Sequence, residues 1–333
     1  MIQNERQLIR WLQIHGGRAQ GKAILGVGDD AALVHPRVGT VTILTTDLMV
    51  EGIHFLRNSA TPCSIGHRAL ARGLSDVAAM GGRPRFVLVS LALRKGLSSG
   101  WLMDFYRGLR SLAGKFKVEI VGGDTTVSSR ITMVDIVLVG EVKRGGEIRR
   151  SGGQPGDRIY VSGELGGSSL GLKFLRSQSP KKTIFHRAAI HRHLYPTPRC
   201  KLGTILARKQ LASSMIDVSD GFALDLHRLC QASGVGALIE AARIPLPKRP
   251  PEALKSSDLL KIALKGGEDY ELLFTAPPNK IALLPSQVDG IPLIEIGKLT
   301  KGRQIRLMSL AGTTSDLPPV GFDHFRKQNS KES

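Results

Sequence analysis

The chain has 333 residues, 41% hydrophobic and 23% charged, which excludes a disordered or fibrous protein and leaves room for two domains. Lysine and arginine number 47 against 28 acidic residues, a formal net charge of +19. The basic residues are scattered, so the excess speaks to solubility and non-specific association, and specific nucleic-acid binding is not expected. No apolar run nears the roughly 20 residues that cross a bilayer, and Cys63, Cys200 and Cys230 form no C-x-x-C pair, which excludes a membrane span, a zinc ribbon and a disulfide framework.

The opening NERQLIRWLQIHG carries apolar residues at Leu8, Ile9, Trp11, Leu12 and Ile14, close to helical spacing, and lacks the apolar segment of a signal peptide, so a helix and a cytoplasmic protein are expected. VTILTTDLMVEGIHF, RFVLVSLAL and ITMVDIVLVGEV are rich in β-branched residues and read as strands. Between them, SIGHRALARGLSDVAAMG and SSGWLMDFYRGLRSLAGKF read as helices with glycine stops. Glycine, proline and charge interrupt the pattern at RRSGGQPGD, which divides an N-terminal domain, 1–150, from a C-terminal one, 151–333. The second half restarts with the strand DRIYVSG and the helix of ELGGSSLGLKFL, followed by a His-rich basic segment. SSMIDVSDGFALDLHRLCQASG reads as strand, Asp-rich turn and helix, and VGALIEAARIPL, DYELLFTAPP and LIEIGKLT supply further strands. The tail FRKQNSKES is expected to fray. Without clean βαβ alternation, the fold class is α+β with mixed, largely antiparallel sheets flanked by helices.

The few acidic residues recur in one local setting. Asp30 follows Gly28, Asp47 follows Thr45 and Thr46, Asp76 lies in LSDVAAMGG, and Asp124 follows Gly122 and Gly123. Asp217 and Asp220 flank Ser219, and Glu268 and Asp269 follow Gly266 and Gly267. Glycine admits close backbone approach and hydroxyls add oxygen donors, so convergent carboxylates of this kind suit Mg²⁺ bridged to substrate phosphates, and phosphoryl chemistry is the hypothesis. Each residue alone has a plainer reading. Asp47 fits a strand-end turn, Asp76 a polar position on a helix and Asp220 a helix cap, while GGDTT and GGEDYEL fit simple turns. ELGGSSLGL is a weak phosphate-loop candidate, no Walker-type loop occurs, and His186, His191 and His193 have a spacing open to metal binding. Alternation along GVGDDAALV sends Asp29 and Asp30 to opposite sides if the segment is extended, so only one of the two is expected at the metals.

GVGDDAALV, LTTDLMVEGIHF, ALARGLSDVAAMGGRPR, VGGDTT, RSGGQPGDRIYVSGELGGSSLGL, MIDVSDGFALDL, LKGGEDYELLFT and GFDHF together resemble the thiamine-monophosphate kinase family. That family belongs to a superfamily with aminoimidazole ribonucleotide synthetase and selenophosphate synthetase. The resemblance implies a homodimer whose N-terminal domains pair their sheets. It implies in-line transfer of the γ-phosphate of ATP onto thiamine monophosphate, giving thiamine diphosphate, with several Mg²⁺ ions. Carried over by motif, Asp30, Thr45, Thr46, Asp47, Asp76, Asp124 and Asp217 form the Mg²⁺ shell with Asp220 beside it. Within it, Asp47, Asp76, Asp124 and Asp217 carry the catalysis. Tyr106, Gly123, Asp124, Arg150 and Ser219 then contact the nucleotide, and His54, Glu268 and Phe322 the thiamine phosphate. Two positions depart from the family pattern. Gly73 stands where Asn is common before LSD, and Phe322 where Trp or Tyr is common. Selenophosphate synthetase relies on a reactive Cys or selenocysteine near its N-terminal glycine-rich segment, whereas the first cysteine here is Cys63. A polyanion-binding protein without catalysis is the rival of a different class.

Overall fold

The computed structural model describes residues 5–15, 23–27, 30–177, 183–248, 250 and 254–323. Gly28, Asp29 and the expected frayed tail lie outside the described residues. The first half contains α1 (Glu5–His15), β1 (Ala23–Leu25), β2 (Leu33–Val34), β3 (Thr40–Val50), α2 (Pro62–Ala79), β4 (Arg83–Arg94), α3 (Ser99–Phe116), β5 (Glu119–Ser128) and β6 (Met133–Lys143). Helix α2 starts where Thr61, with Pro62 behind it, accepts a hydrogen bond from the Ser64 amide at 3.1 Å, the arrangement that satisfies an orphan donor at a helix start. Helix α3 is capped in the same way by Ser98 and ends at Lys117 with φ 57.

Strands β3, β6, β4 and β5 form, in that order, a four-stranded sheet. β6 is antiparallel to both neighbours, and β5 runs parallel to β4 after the crossover through α3. Alternation along β6 buries Val134, Ile136 and Leu138 completely against the helices. Register then sets which β3 side chains share that inner face: Thr45 opposes Leu138, Asp47 opposes Ile136 and Met49 opposes Val134. Leu44, Thr46 and Leu48 take the outer face, where Leu44 is 70% and Leu48 49% exposed.

The second half contains β7 (Arg158–Ser162), α4 (Gly167–Arg176), α5 (Ile184–Leu194), α6 (Cys200–Arg208), β8 (Ser214–Asp217), α7 (Phe222–Ser233), β9 (Gly236–Glu240), α8 (Ser256–Lys265), β10 (Leu272–Ala276), β11 (Gln287–Val288), β12 (Ile291–Thr300), β13 (Ile305–Met308) and β14 (Thr314–Asp316). Its sheet follows the order β14-β13-β9-β12-β7-β10-β8, with β11 beside β12. Only β13 and β9 pair in parallel among these strands, so the largely antiparallel α+β expectation holds. α5, α6, α8 and the short strands β1, β2, β11, β13 and β14 were not expected from the pattern.

The largest apolar cluster does not stop at the expected domain break. Leu70, Leu74 and Val77 of α2 pack in one cluster with Val87 and Ile136 of the first sheet and with Leu206, Met215 and Phe274 of the second half. α2 is therefore apolar around most of its circumference, as a helix between two layers must be. Each fully buried aliphatic side chain contributes about 1.5–3 kcal/mol, so this shared cluster holds the two halves, and the groups between them, in fixed relation. Among the described residues no helix is long and apolar enough to cross a membrane.

Candidate active site

A cavity of about 870 Å³ opens where α2 meets the two sheets. α2 contributes Arg68, Arg72 and Asp76, spaced four residues apart and hence on one helical face. β3 contributes Asp47 from its inner face, the end of β8 contributes Asp217, and the turn before α7 contributes Ser219 and Asp220. Glu268 and Phe322 come from segments that join this turn through the backbone: Glu268 N–H donates to Ser219 O at 2.7 Å and Phe322 N–H to Asp220 O at 2.8 Å. The approach is so close that a Cβ at Gly267 would lie 2.5 Å from the Ser219 carbonyl oxygen, which explains glycine before Glu268. Glu268 and Tyr270 adopt φ 64 and φ 52. Non-glycine residues rarely hold this conformation, and it persists where surrounding contacts over-determine it.

Two kinds of charge meet here. Thr45 Oγ1 donates to Asp76 Oδ2 at 2.5 Å and Ser75 Oγ to Asp217 Oδ2 at 2.7 Å. Burial pushes the Asp76 carboxyl up to about 7, reinforced by Asp217 and Asp47. Burial likewise pushes Asp217 up to about 7, with Asp225 and Asp47 adding to the effect against the Ser75 hydrogen bond. Burial is the largest influence on Glu268 and opposes its ionisation, but Arg68, His193 and Arg72 together outweigh it and hold the carboxyl below its ordinary value. Arg68 Nη2 reaches both Glu268 oxygens, at 2.7 and 2.9 Å, and Arg72 donates to Asp47 Oδ1 at 3.0 and 3.2 Å. His193, driven down to about 4 by burial and by Arg68, is neutral at neutral pH, so its 3.5 Å approach to Glu268 is a neutral contact. Among the described residues no three His, Cys, Asp or Glu side chains converge to hold a metal by themselves. Buried carboxylates pushed toward protonation, with hydroxyl oxygens beside them, are nevertheless the donor set that Mg²⁺ shares with substrate phosphates.

The cavity brings together Asp47, Asp76, Asp217, Ser219, Asp220, His54, Glu268 and Phe322, with Thr45 bonded to Asp76 behind them. His54 Nδ1 accepts the Val50 N–H at 3.0 Å, which leaves the ring proton on Nε2.

Other expected residues lie elsewhere. Thr46 points to the outer face and donates to Asp135 at 2.9 Å. Asp124 is exposed on the same outer face, paired in register with Ser90 on the far edge strand, β5. Three strand spacings separate it from β3, about 14 Å, and Asp47 faces the other side of the sheet. GGDTT is not a turn but part of β5. A Cβ at Gly123, φ 150, would lie 1.9 Å from the Val89 carbonyl oxygen. Asp30 is exposed between β1 and β2, a pair that packs on that outer face through Ala23 and Ala32. Tyr106 is buried in an aromatic cluster with Phe105 and Trp11. Arg150 is exposed, and its charge acts on Asp217.

Several plainer readings are also corrected. Asp47 lies within β3 rather than in a turn at its end. Asp220 does not cap α7: the N-cap position is Gly221, and Asp225, within the first turn, reaches back to accept the amides of Ser219, Asp220 and Gly221 at 3.0–3.2 Å. ELGGSSLGL is not a phosphate loop, because Asp269 already accepts the Gly166 and Ser168 amides at 2.6 and 3.0 Å at the start of α4. The histidines do not converge: His193 is buried beside Ser168, His186 packs on Phe174, and His191 on Tyr195. Arg68, Arg72 and Ser75 were not anticipated as site residues, and His193 was expected only within a histidine metal cluster. The four-residue spacing of Arg68, Arg72 and Asp76 was the available signal.

Residues 28–142 match the family model of the AIR synthase related protein N-terminal domain, and residues 154–309 that of the C-terminal domain. The chain is 36% identical to the thiamine-monophosphate kinase of Escherichia coli (strain K12) over 306 residues, covering 90% of this chain and 92% of the relative. The crystal structure of thiamine-monophosphate kinase from Stenotrophomonas maltophilia K279a superposes with a TM-score of 0.80 at 33% identity, covering 90% of this chain and 94% of the other. The structure of AaThiL complexed with AMPPCP and TMP superposes with a TM-score of 0.76 at 32% identity, covering 98% and 99%. With both halves matched and a relative aligned along nearly its whole length, the chain belongs to the thiamine-monophosphate kinase family of AIR synthase related proteins.

Proposed function

We propose that the protein transfers the γ-phosphate of ATP to the phosphate of thiamine monophosphate, giving thiamine diphosphate and ADP, by a direct in-line step. The observation that carries this reading is a single cavity lined both by the carboxylates Asp47, Asp76 and Asp217 and by His54, Glu268 and Phe322. Asp47, Asp76 and Asp217 would hold Mg²⁺, with Thr45 and Asp220 beside them; the ion supplies neutralisation of the charge on the transferring phosphoryl group. The acceptor is already an anionic monoester, so no strong general base is needed, and the task of the chain is to position two phosphates in line. His54, protonated at Nε2, offers a donor to the thiamine phosphate, and Phe322 offers a ring face to a cationic thiazolium. Ser219 and Arg150 flank Asp217 on the nucleotide side. Residues 1–150 form the nucleotide, metal and dimerisation domain, and residues 151–333 complete the site. Both substrates are soluble anions, in keeping with a cytoplasmic enzyme.

The outer face of the first sheet supports a homodimer. Leu44 and Leu48 are exposed there, flanked by the half-buried Val137 and Val139, and an apolar sheet face of this kind needs a cover. Gly123, Asp124, Thr46 and Asp30 lie on or against that sheet, so any contribution they make to nucleotide or metal binding is made from the dimer side. Leu44→Glu is expected to convert a dimer to a monomer in light scattering coupled to size exclusion; an unchanged dimer mass would remove this face as the interface.

The reaction is tested by incubating purified protein with Mg-ATP and thiamine monophosphate and following phosphorus NMR. A new diphosphate ester appearing with ADP is expected. Free phosphate without that ester would replace the kinase with a hydrolase.

A further inference from the structure

Arg72 is a cation set into the carboxylate wall. Its guanidinium donates to Asp47 Oδ1 at 3.0 and 3.2 Å and lies 3.8 Å from Glu268 Oε1. The three side chains are 16%, 19% and 23% exposed, so water and salt screen the contacts weakly. Asp47 belongs to the first sheet and Glu268 to the turn before β10, so one side chain ties the proposed metal ligands to the proposed substrate contacts. Glu268 does not depend on it for a counter-charge, because Arg68 binds both its oxygens. Asp76 and Asp217 accept from the hydroxyls of Thr45 and Ser75, whereas Asp47 accepts from the guanidinium. The next residue, Gly73, has no side chain to offer at this level of α2, and a Cβ there would press on Leu138 at 3.3 Å.

We propose that Arg72 is the built-in counter-cation of Asp47, which gives way when a divalent metal and an anionic phosphate bind together. This rests on the assignment of Asp47, Asp76 and Asp217 to metal binding. A metal binding alone must either displace the guanidinium from Asp47 Oδ1 or share the carboxylate with it through Oδ2, and either way two cations compete for one weakly screened anion, which is costly. A phosphate arriving with the metal gives the guanidinium a fork-shaped partner. Metal and phosphate ligand therefore bind cooperatively, each lowering the cost met by the other. Arg72 is a positioning residue in this scheme, and the Glu268 contact keeps it at the site when Asp47 is released.

The test uses Mn²⁺ alone, titrated into nucleotide-free protein and followed by the EPR signal of the free ion. Arg72→Met is expected to bind Mn²⁺ about tenfold more tightly than the unaltered protein. Arg72→Lys, which keeps the charge, should bind it as weakly as the unaltered protein does. A merely structural role for Arg72 would predict weaker or equal Mn²⁺ binding in Arg72→Met, and that outcome overturns the proposal while leaving the metal assignment intact. Should Arg72→Met fail to fold by circular dichroism, Arg72→Gln serves in its place. The unaltered protein supplies an independent measurement: thiamine monophosphate should tighten Mn²⁺ binding roughly fivefold or more, and no tightening overturns the proposal. Absence of Mn²⁺ binding in every variant and condition would overturn both the proposal and the metal assignment beneath it.

Discussion

Asp47→Asn should lower kcat for thiamine monophosphate phosphorylation by about 10²–10³-fold, the usual cost of deleting one charge that stabilises a transition state in a dry site. The side chain leaves the inner face of β3 opposite Ile136 and meets Arg72 in the cavity, and the amide is nearly isosteric with the acid, so the fold should be retained. A rate like that of the unaltered enzyme would remove Asp47 from the chemistry. Asp124→Asn is the informative companion. From its exposed place on β5 it lies on the outer face of the sheet, away from the cavity, so its loss should appear chiefly in KM for ATP. A fall in kcat equal to that of Asp47→Asn would place both carboxylates at one metal cluster in the assembled enzyme.

Asp217→Asn should abolish activity and yet stabilise the ligand-free protein above neutral pH. Burial pushes Asp76 and Asp217 up to about 7, whereas an unfolded chain releases those protons near the ordinary aspartate value. Between these limits the folded chain holds more protons than the unfolded chain, so stability falls as pH rises from about 4 to about 7 and stays low above it. Each ionised, buried carboxylate then costs on the order of 2–4 kcal/mol. Neutralising Asp217 should raise the ligand-free Tm at pH 8 by about 3–6 °C, with little change at pH 4. Mg²⁺ should raise the Tm of the unaltered protein at pH 8 and not that of Asp217→Asn. A Tm at pH 8 that is unchanged or lower in Asp217→Asn would show that the folded protein bears this charge without cost.

Much of the fold was legible because most elements carry a clean local period. β6 and β3 are both rich in β-branched residues. The four-residue spacing of Arg68, Arg72 and Asp76 put a charged stripe on one face of an otherwise apolar helix. What misled was reading each carboxylate by its immediate neighbours. Glycines before Asp124 suggested a turn, but β5 continues through them in register with β4. Glycines before Ser168 suggested a phosphate loop, but its amides are taken by Asp269, 101 residues away. Tyr106 lies in a segment whose pattern is amphipathic, and which side of α3 faces the core depends on what packs against it.

From local order alone, the chain's own residue pattern settled that Asp47 lies in a β-rich segment, that Asp76 shares a helical face with two arginines, and that glycine brackets the carboxylates. Period and backbone sterics act over a few residues and are written in them. Which carboxylates meet was decided by the packed molecule. Ser75 reaches Asp217 across 142 residues and Arg68 reaches Glu268 across 200, through a shared apolar cluster that no local window contains. The same packing placed Asp47 on the inner face and Thr46 and Asp124 on the outer one, because a sheet turns alternate residues to opposite sides and only its helices determine which side is buried.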